Sequence, residues 1–100
     1  MCGATTGGLS TEGLDLRNQA VIQGRVLRDG NPVGGAYVRL LDASGEFTAE
    51  VPTSATGHFR FLAGDGEWTL RTLAPKAEPV DTKVTAAIGS VAEVQVLVSA

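Results

Sequence analysis

The chain is poor in the residues that carry most enzyme chemistry. Its 100 residues include one cysteine, one histidine, one tryptophan and one tyrosine. A lone cysteine, Cys2, excludes an intrachain disulfide, and together with the sole histidine, His58, it falls short of a zinc ligand set. Basic residues are outnumbered, eight Lys and Arg against eleven Asp and Glu, for a net charge of −3. That argues against nucleic acid or an anionic membrane as partner, since both need a basic field. No apolar run approaches the ~20 residues of a membrane span. Neither a charged n-region nor an apolar h-region stands ahead of Cys2, so secretory and lipoprotein readings fail and a cytoplasmic protein is expected.

Other absences narrow the chemistry further. Asp29, Asp42 and Asp65 lie singly in separate turns, so no calcium loop forms. Gly34-Gly35 and Gly64-x-Gly66 join strands rather than a strand to a helix, which is not the setting of a phosphate cradle. Ser54 has no G-x-S-x-G elbow around it. No metal, cofactor or catalytic group is expected, and no segment shows a helical period.

What is present is a period of two. Residues 1–19 form a Gly-, Ser- and Thr-rich arm, expected to be extended or flexible; residues 20–100 form the domain. From Ala20, Ile22, Gly24 and Val26 share one face and Gln23 and Arg25 the other; Gly24 inside a strand signals a bulge or a close neighbour. Asp29-Gly30-Asn31-Pro32 turns the chain. Ala36, Val38 and Leu40 alternate next, then Asp42-Ala43-Ser44-Gly45 turns, with Gly45 expected in the left-handed region. Phe47, Ala49 and Val51 return on one face until Pro52. Short strands at Val80–Thr85 and Val91–Val98 complete the set. Seven strands punctuated by Gly, Pro and Asx turns predict an all-β, seven-stranded β-sandwich.

The most patterned stretch, Thr53–Leu73, reads as an aromatic hairpin. Gly64-Asp65 fits the centre of a type II′ turn, setting Phe61 opposite Trp68 and Phe59 opposite Leu70 as core anchors. That register places His58 on the outward, solvated face, opposite Arg71. Arg39, Arg60 and Arg71 also point outward, and wherever two of them meet they make an anion-binding or partner face. Tyr37, Leu41 and Leu97 are candidates for a modest apolar patch. Edge strands of an open sandwich invite pairing, so a homodimer through sheet edges is a further expectation.

Two segments resemble the carboxypeptidase-regulatory-like (transthyretin-like, or prealbumin-like) β-sandwich. They are Ile22-x-Gly24-x-Val26 with Gly30-x-Pro32-Val33-x-Gly35-Ala36-x-Val38-x-Leu40, and Thr56-Gly57-x-Phe59-x-Phe61 with Gly66-x-Trp68-x-Leu70. The chain as a whole is similar to a family of small uncharacterised actinobacterial proteins. The matching pieces are Met1-Cys2-Gly3, Val38-Arg39-Leu40-Leu41-Asp42, Glu46–Val51 and Ser54-Ala55-Thr56-Gly57-x-Phe59-Arg60-Phe61. Such proteins are often encoded beside a rhodanese-type thiosulfate sulfurtransferase, and the resemblance implies a non-enzymatic part in sulfur transfer with that enzyme as partner.

Cys2 is the residue with the chemistry for this. With Met1 removed, its thiol would stand beside an α-ammonium that favours the thiolate. A Gly-rich tether of this length has an r.m.s. reach of roughly 20–25 Å. A persulfide acceptor or carrier at Cys2 is therefore one expectation. An interaction module in which Cys2 has no role is the other.

Overall fold

The computed structural model describes residues 4–5, 8–9 and 18–99. Within the arm, which the sequence predicts to be extended or flexible, β1 (Ala4–Thr5) pairs antiparallel with β2 (Gly8–Leu9) as a short ladder. The sandwich begins with β3 (Ala20–Arg28), its longest strand. Asp29 and Gly30 both take positive φ, 52° and 81°, as the two central residues of a type I′ turn must. That turn returns the chain as β4 (Asn31–Pro32), paired with Leu27 and Arg28.

The chain then crosses to the second layer, where β5 (Tyr37–Leu41) and β6 (Phe47–Pro52) form a hairpin. Asp42 organises its turn: one carboxylate oxygen accepts from the Ser44 N–H at 2.9 Å, the Ser44 hydroxyl at 2.6 Å and the Glu46 N–H at 3.0 Å. Gly45 follows at φ 89°, in the left-handed region as the sequence predicts. β7 (His58–Ala63) returns to the first layer, antiparallel to β3. β8 (Gly66–Leu73) and β9 (Val80–Ala86) lie in the second. Finally β10 (Val91–Leu97) runs parallel to β3. One sheet thus has the order β10-β3-β4, with β7 also on β3; the other has the order β6-β5-β8-β9.

The all-β sandwich and its seven principal strands are those the alternation predicts. The Phe59–Leu73 hairpin is not. Residues 64–65 carry the chain from one layer to the other, so Phe59 pairs with Gly24 and Phe61 with Ile22, while Leu70 pairs with Leu40 and Thr82. The aromatic strand and the Trp68 strand meet across the core rather than along one sheet. Positive φ falls on Gly66, at 134°, and not on Gly64. Phe59 and Phe61 remain core anchors, 2% and 5% exposed, with Ile22, Val26, Val38, Leu40, Leu70 and Val96 fully packed beside them. Each such side chain contributes roughly 1.5–3 kcal/mol relative to exposure. Trp68 is half-buried, its indole N–H donating to the Gly64 carbonyl at 3.0 Å.

Phe47 also departs from the expected face. The β5/β6 register slips between Leu40 and Leu41, so Leu40 faces Ala49 but Leu41 faces Phe47. One extra residue in β6 turns Phe47 outward, where it is 61% exposed, while Ala49 and Val51 pack on the core. Thr53, buried, ties the two layers at one end. Its hydroxyl donates to the Val33 carbonyl at 2.7 Å and accepts from the Ala36 N–H at 3.0 Å.

Two predictions follow from this packing. A Cβ on Gly24 would lie 1.7 Å from the Val94 carbonyl oxygen and 3.2 Å from Cζ of Phe59. Gly24→Ala is expected to lower stability by about 3 kcal/mol or more in urea denaturation, because backbone, not a flexible side chain, must give way. Thr53 and Thr72 are both buried, but the Thr72 hydroxyl has no hydrogen-bond partner among the described residues. Thr53→Val is expected to cost about 1–3 kcal/mol, by orphaning two backbone groups, whereas Thr72→Val is neutral or stabilising. Equal destabilisation by both substitutions would contradict this reading of the core.

Candidate functional site

Cys2 lies outside the described residues. The arginines do not. Arg39 on β5 and Arg71 on β8 are direct cross-strand partners on the outer face of the second sheet. Glu50 of β6 stands on the far side of Arg39, and Asp81 of β9 on the far side of Arg71, so four charges form one row across four strands. The Arg39 Nε donates to Glu50 Oε2 at 2.8 Å. Arg71 engages Asp81 with two bonds, Nε to Oδ1 at 2.9 Å and Nη2 to Oδ2 at 3.0 Å. Like charges placed directly opposite repel, and the flanking carboxylates relieve this pair. An anion approaching the two guanidinium groups meets both carboxylates as well.

Arg60 does not join this row. It lies on β7, on the outer face of the other sheet, because β7 pairs with β3. There its Nε donates to Gln23 Oε1 at 2.9 Å, and Gln23 Nε2 donates to Glu93 Oε2 at 2.7 Å. Gln23, almost fully buried, therefore links an arginine on one neighbouring strand to a glutamate on the other. Alternation places Gln23 and Glu93 outward, but only the register shows that they are neighbours.

His58 is buried, 8% exposed, rather than solvated, and its cross-strand partner is Arg25 rather than Arg71. The cause is again that β7 belongs with β3. The imidazole Nδ1 meets Thr56 Oγ1 at 2.8 Å, and the His58 backbone N–H donates to Ser54 Oγ at 3.1 Å. This knot of hydroxyls fixes the entry to β7, and among the described residues no carboxylate is hydrogen-bonded to the ring. Arg25 is half-buried, and its Nε has no hydrogen-bond partner among the described residues. Tyr37 and Leu41 share the outer face of the second sheet, but Leu41 is 6% exposed and Leu97 belongs to the first sheet. The three make no common patch.

A groove of about 390 Å³ is lined by Arg28, Asp29, Asn31, Pro32, Val33, Gly34 and Pro75. The Arg28 guanidinium at its wall is held by the carbonyls of Ser99, at 3.0 Å, and Pro75. Among the described residues no three His, Cys, Asp or Glu side chains gather where a metal ion could be held. No helix in the described residues is long and apolar enough to cross a membrane.

With this geometry in hand, comparison with known proteins identifies the class. The family described as a protein of unknown function, DUF1416, matches residues 2–98, and the chain belongs to it. Two uncharacterised proteins of Mycobacterium tuberculosis, Rv0814c and Rv3118, are each 57% identical over 75 residues, covering 73% of this chain and 75% of theirs. Among solved structures, the minor pilin GBS52 of Streptococcus agalactiae superposes with a TM-score of 0.70 at 15% identity, covering 82% of this chain and 44% of the pilin. A DUF3823 family protein from Parabacteroides merdae gives 0.61 at 19% identity, covering 81% of this chain and 46% of that one. At these identities the likeness is one of β-sandwich fold alone.

The charged row has a pH signature. The hydrogen bond from Arg71 holds the Asp81 carboxyl below its ordinary 3.8, against the opposing pull of desolvation. Asp42 is lowered too, first by the Ser44 hydroxyl and then by the Glu46 N–H. Both carboxyls titrate lower in the folded than in the unfolded chain. Their stabilisation is therefore complete above about pH 4 and is lost as pH falls through the folded values. Melting temperature recorded from about pH 6 down to about pH 2 is expected to fall less steeply for the Asp42→Asn, Asp81→Asn double variant than for wild type. Parallel acid limbs would show that these two groups do not contribute.

Proposed function

We propose that this chain is a non-enzymatic accessory of sulfur metabolism in the cytoplasm, working beside a rhodanese-type thiosulfate sulfurtransferase, with Cys2 accepting and carrying sulfane sulfur. The observation that supports this reading is that the family match begins at Cys2, so the arm and the sole thiol fall inside the shared sequence rather than ahead of it. Cys2 is also the sole thiol of the chain, the one side chain whose thiolate chemistry suits sulfur transfer. In the proposed step the Cys2 thiolate attacks the sulfane sulfur of the donor's persulfide. A new S–S bond forms at Sγ as the donor's S–S bond breaks, and the donor cysteine leaves as a thiolate. No outside oxidant or reductant is consumed.

Incubation with a rhodanese and thiosulfate, followed by intact mass measurement, is expected to add about 32 Da, removable by dithiothreitol and absent from Cys2→Ser. Unchanged wild-type mass, or the same gain on Cys2→Ser, rejects the carrier.

The charged row favours a second reading, a structural or protein-interaction sandwich in which Cys2 has no role. Tyr37 and Phe47, 49% and 61% exposed, share the outer face with Glu50, Arg39, Arg71 and Asp81. A protein partner retained after deletion of residues 1–17 but lost in Arg39→Glu supports it; loss on deletion alone favours the carrier.

A further inference from the structure

We infer that β10 is a self-pairing edge, and that two copies of the chain join by antiparallel β10–β10 pairing about a two-fold axis through Val94. The inference is independent of the role given to Cys2.

The backbone supplies the first argument. Among the described strands, β10 ends its sheet and is bonded on one side only, to β3. The Val98 N–H donates to the Leu27 carbonyl at 2.9 Å, and the Ser90 carbonyl accepts from the Val21 N–H at 3.1 Å, so even-numbered residues turn their amide groups towards β3. Strand alternation then turns the N–H and C=O of Val91, Glu93, Gln95 and Leu97 away from it. No described strand pairs with that side.

The remaining edges carry more of the usual guarding devices than β10, whose one charge is Glu93. β6 carries the bulge and closes on Pro52, and β9 bears Asp81 and Lys83. β7 has β2 and β6 beside it, while β9 of the other sheet lies near β10 without pairing to it. β10 has no proline, no lysine and an unbroken seven-residue register.

Self-complementarity supplies the second argument and fixes the occupant as another copy. An axis through Val94 sets Glu93 against Gln95, Ala92 against Val96 and Val91 against Leu97 of the second copy. Outward-turned residues meet outward-turned residues, so each of these odd-numbered pairs can exchange both backbone hydrogen bonds, as an antiparallel ladder requires. Faces are conserved, and apolar side chains meet apolar ones. Leu97, 66% exposed in the single chain, is covered by Val91. Glu93 spends one oxygen on Gln23 and has the other for the Gln95 amide of the second copy. The neighbouring registers are poorer: an axis through Glu93 opposes two glutamates, and one through Gln95 sets Glu93 against Leu97. The product is one continuous sheet running from β7 of one copy to β7 of the other.

Sedimentation equilibrium of the full chain is expected to show a monomer–dimer equilibrium that two substitutions at the exposed Gln95 move in opposite directions. Gln95→Glu sets like charges opposite Glu93 twice per dimer and should weaken association about tenfold; Gln95→Lys sets opposite charges there and should strengthen it about as much. High salt should shrink both effects. Circular dichroism of both variants checks that the fold is kept. A wild type that stays monomeric at every concentration, or variants that associate alike, overturns the proposal.

Discussion

The sandwich is organised by what Gly24 lacks. At the middle of β3, the strand on which its whole sheet is built, a side chain is missing from the inward face. The Val94 carbonyl and the Phe59 ring occupy the space that a Cβ would need. The vacancy admits β10 in parallel register on one side and an aromatic cover on the other, the arrangement in which a cross-strand ring compensates a strand glycine. Ile22 and Val26 flank the gap and are completely buried.

The second constraint is how often the chain changes layer. It does so after β4, after β6, after β7 and after β9, so the sheets are stitched together rather than stacked. Thr53 shows how such a crossing is satisfied in a dry place: one hydroxyl serves a carbonyl and an amide from the segment that leaves the first sheet. The carbonyl of Gly57, at φ 80°, accepts from the Val26 N–H at 2.8 Å at the next corner, where a Cβ would meet the Val26 carbonyl.

These crossings also explain which features could be read from the sequence. Alternation is local, so the strands, their inward residues and the turns at Asp29-Gly30 and Gly45 were legible. Partner choice is not local. Gly64-Asp65 has good hairpin chemistry, yet the two flanking strands each bury one face against the opposite sheet, and that burial outweighs a turn preference. His58 follows its strand, and so ends beside Arg25 under cover instead of beside Arg71 in solvent. Phe47 needed knowledge of a bulge that no single residue announces. Arg39 and Arg71 could be placed outward but not together, and Glu50 and Asp81 became visible as their counter-charges only once strand order was known. The resemblance carried by the Gly24 and Gly57 segments named the family's fold correctly because it encodes those long-range choices.

The parallel β3–β10 ladder joins parts of the chain far apart in order, as the Gln23–Glu93 bond across 70 positions shows. Closing such a loop is entropically slow, and its ladder forms late compared with the β5–β6 hairpin. During synthesis β3 emerges well before β10, so the nascent domain has a bare β3 flank until its partner strand, 70 positions further on at the Gln23–Glu93 bond, has followed. The interval before that strand arrives is when a growing chain of this kind most needs a chaperone's cover.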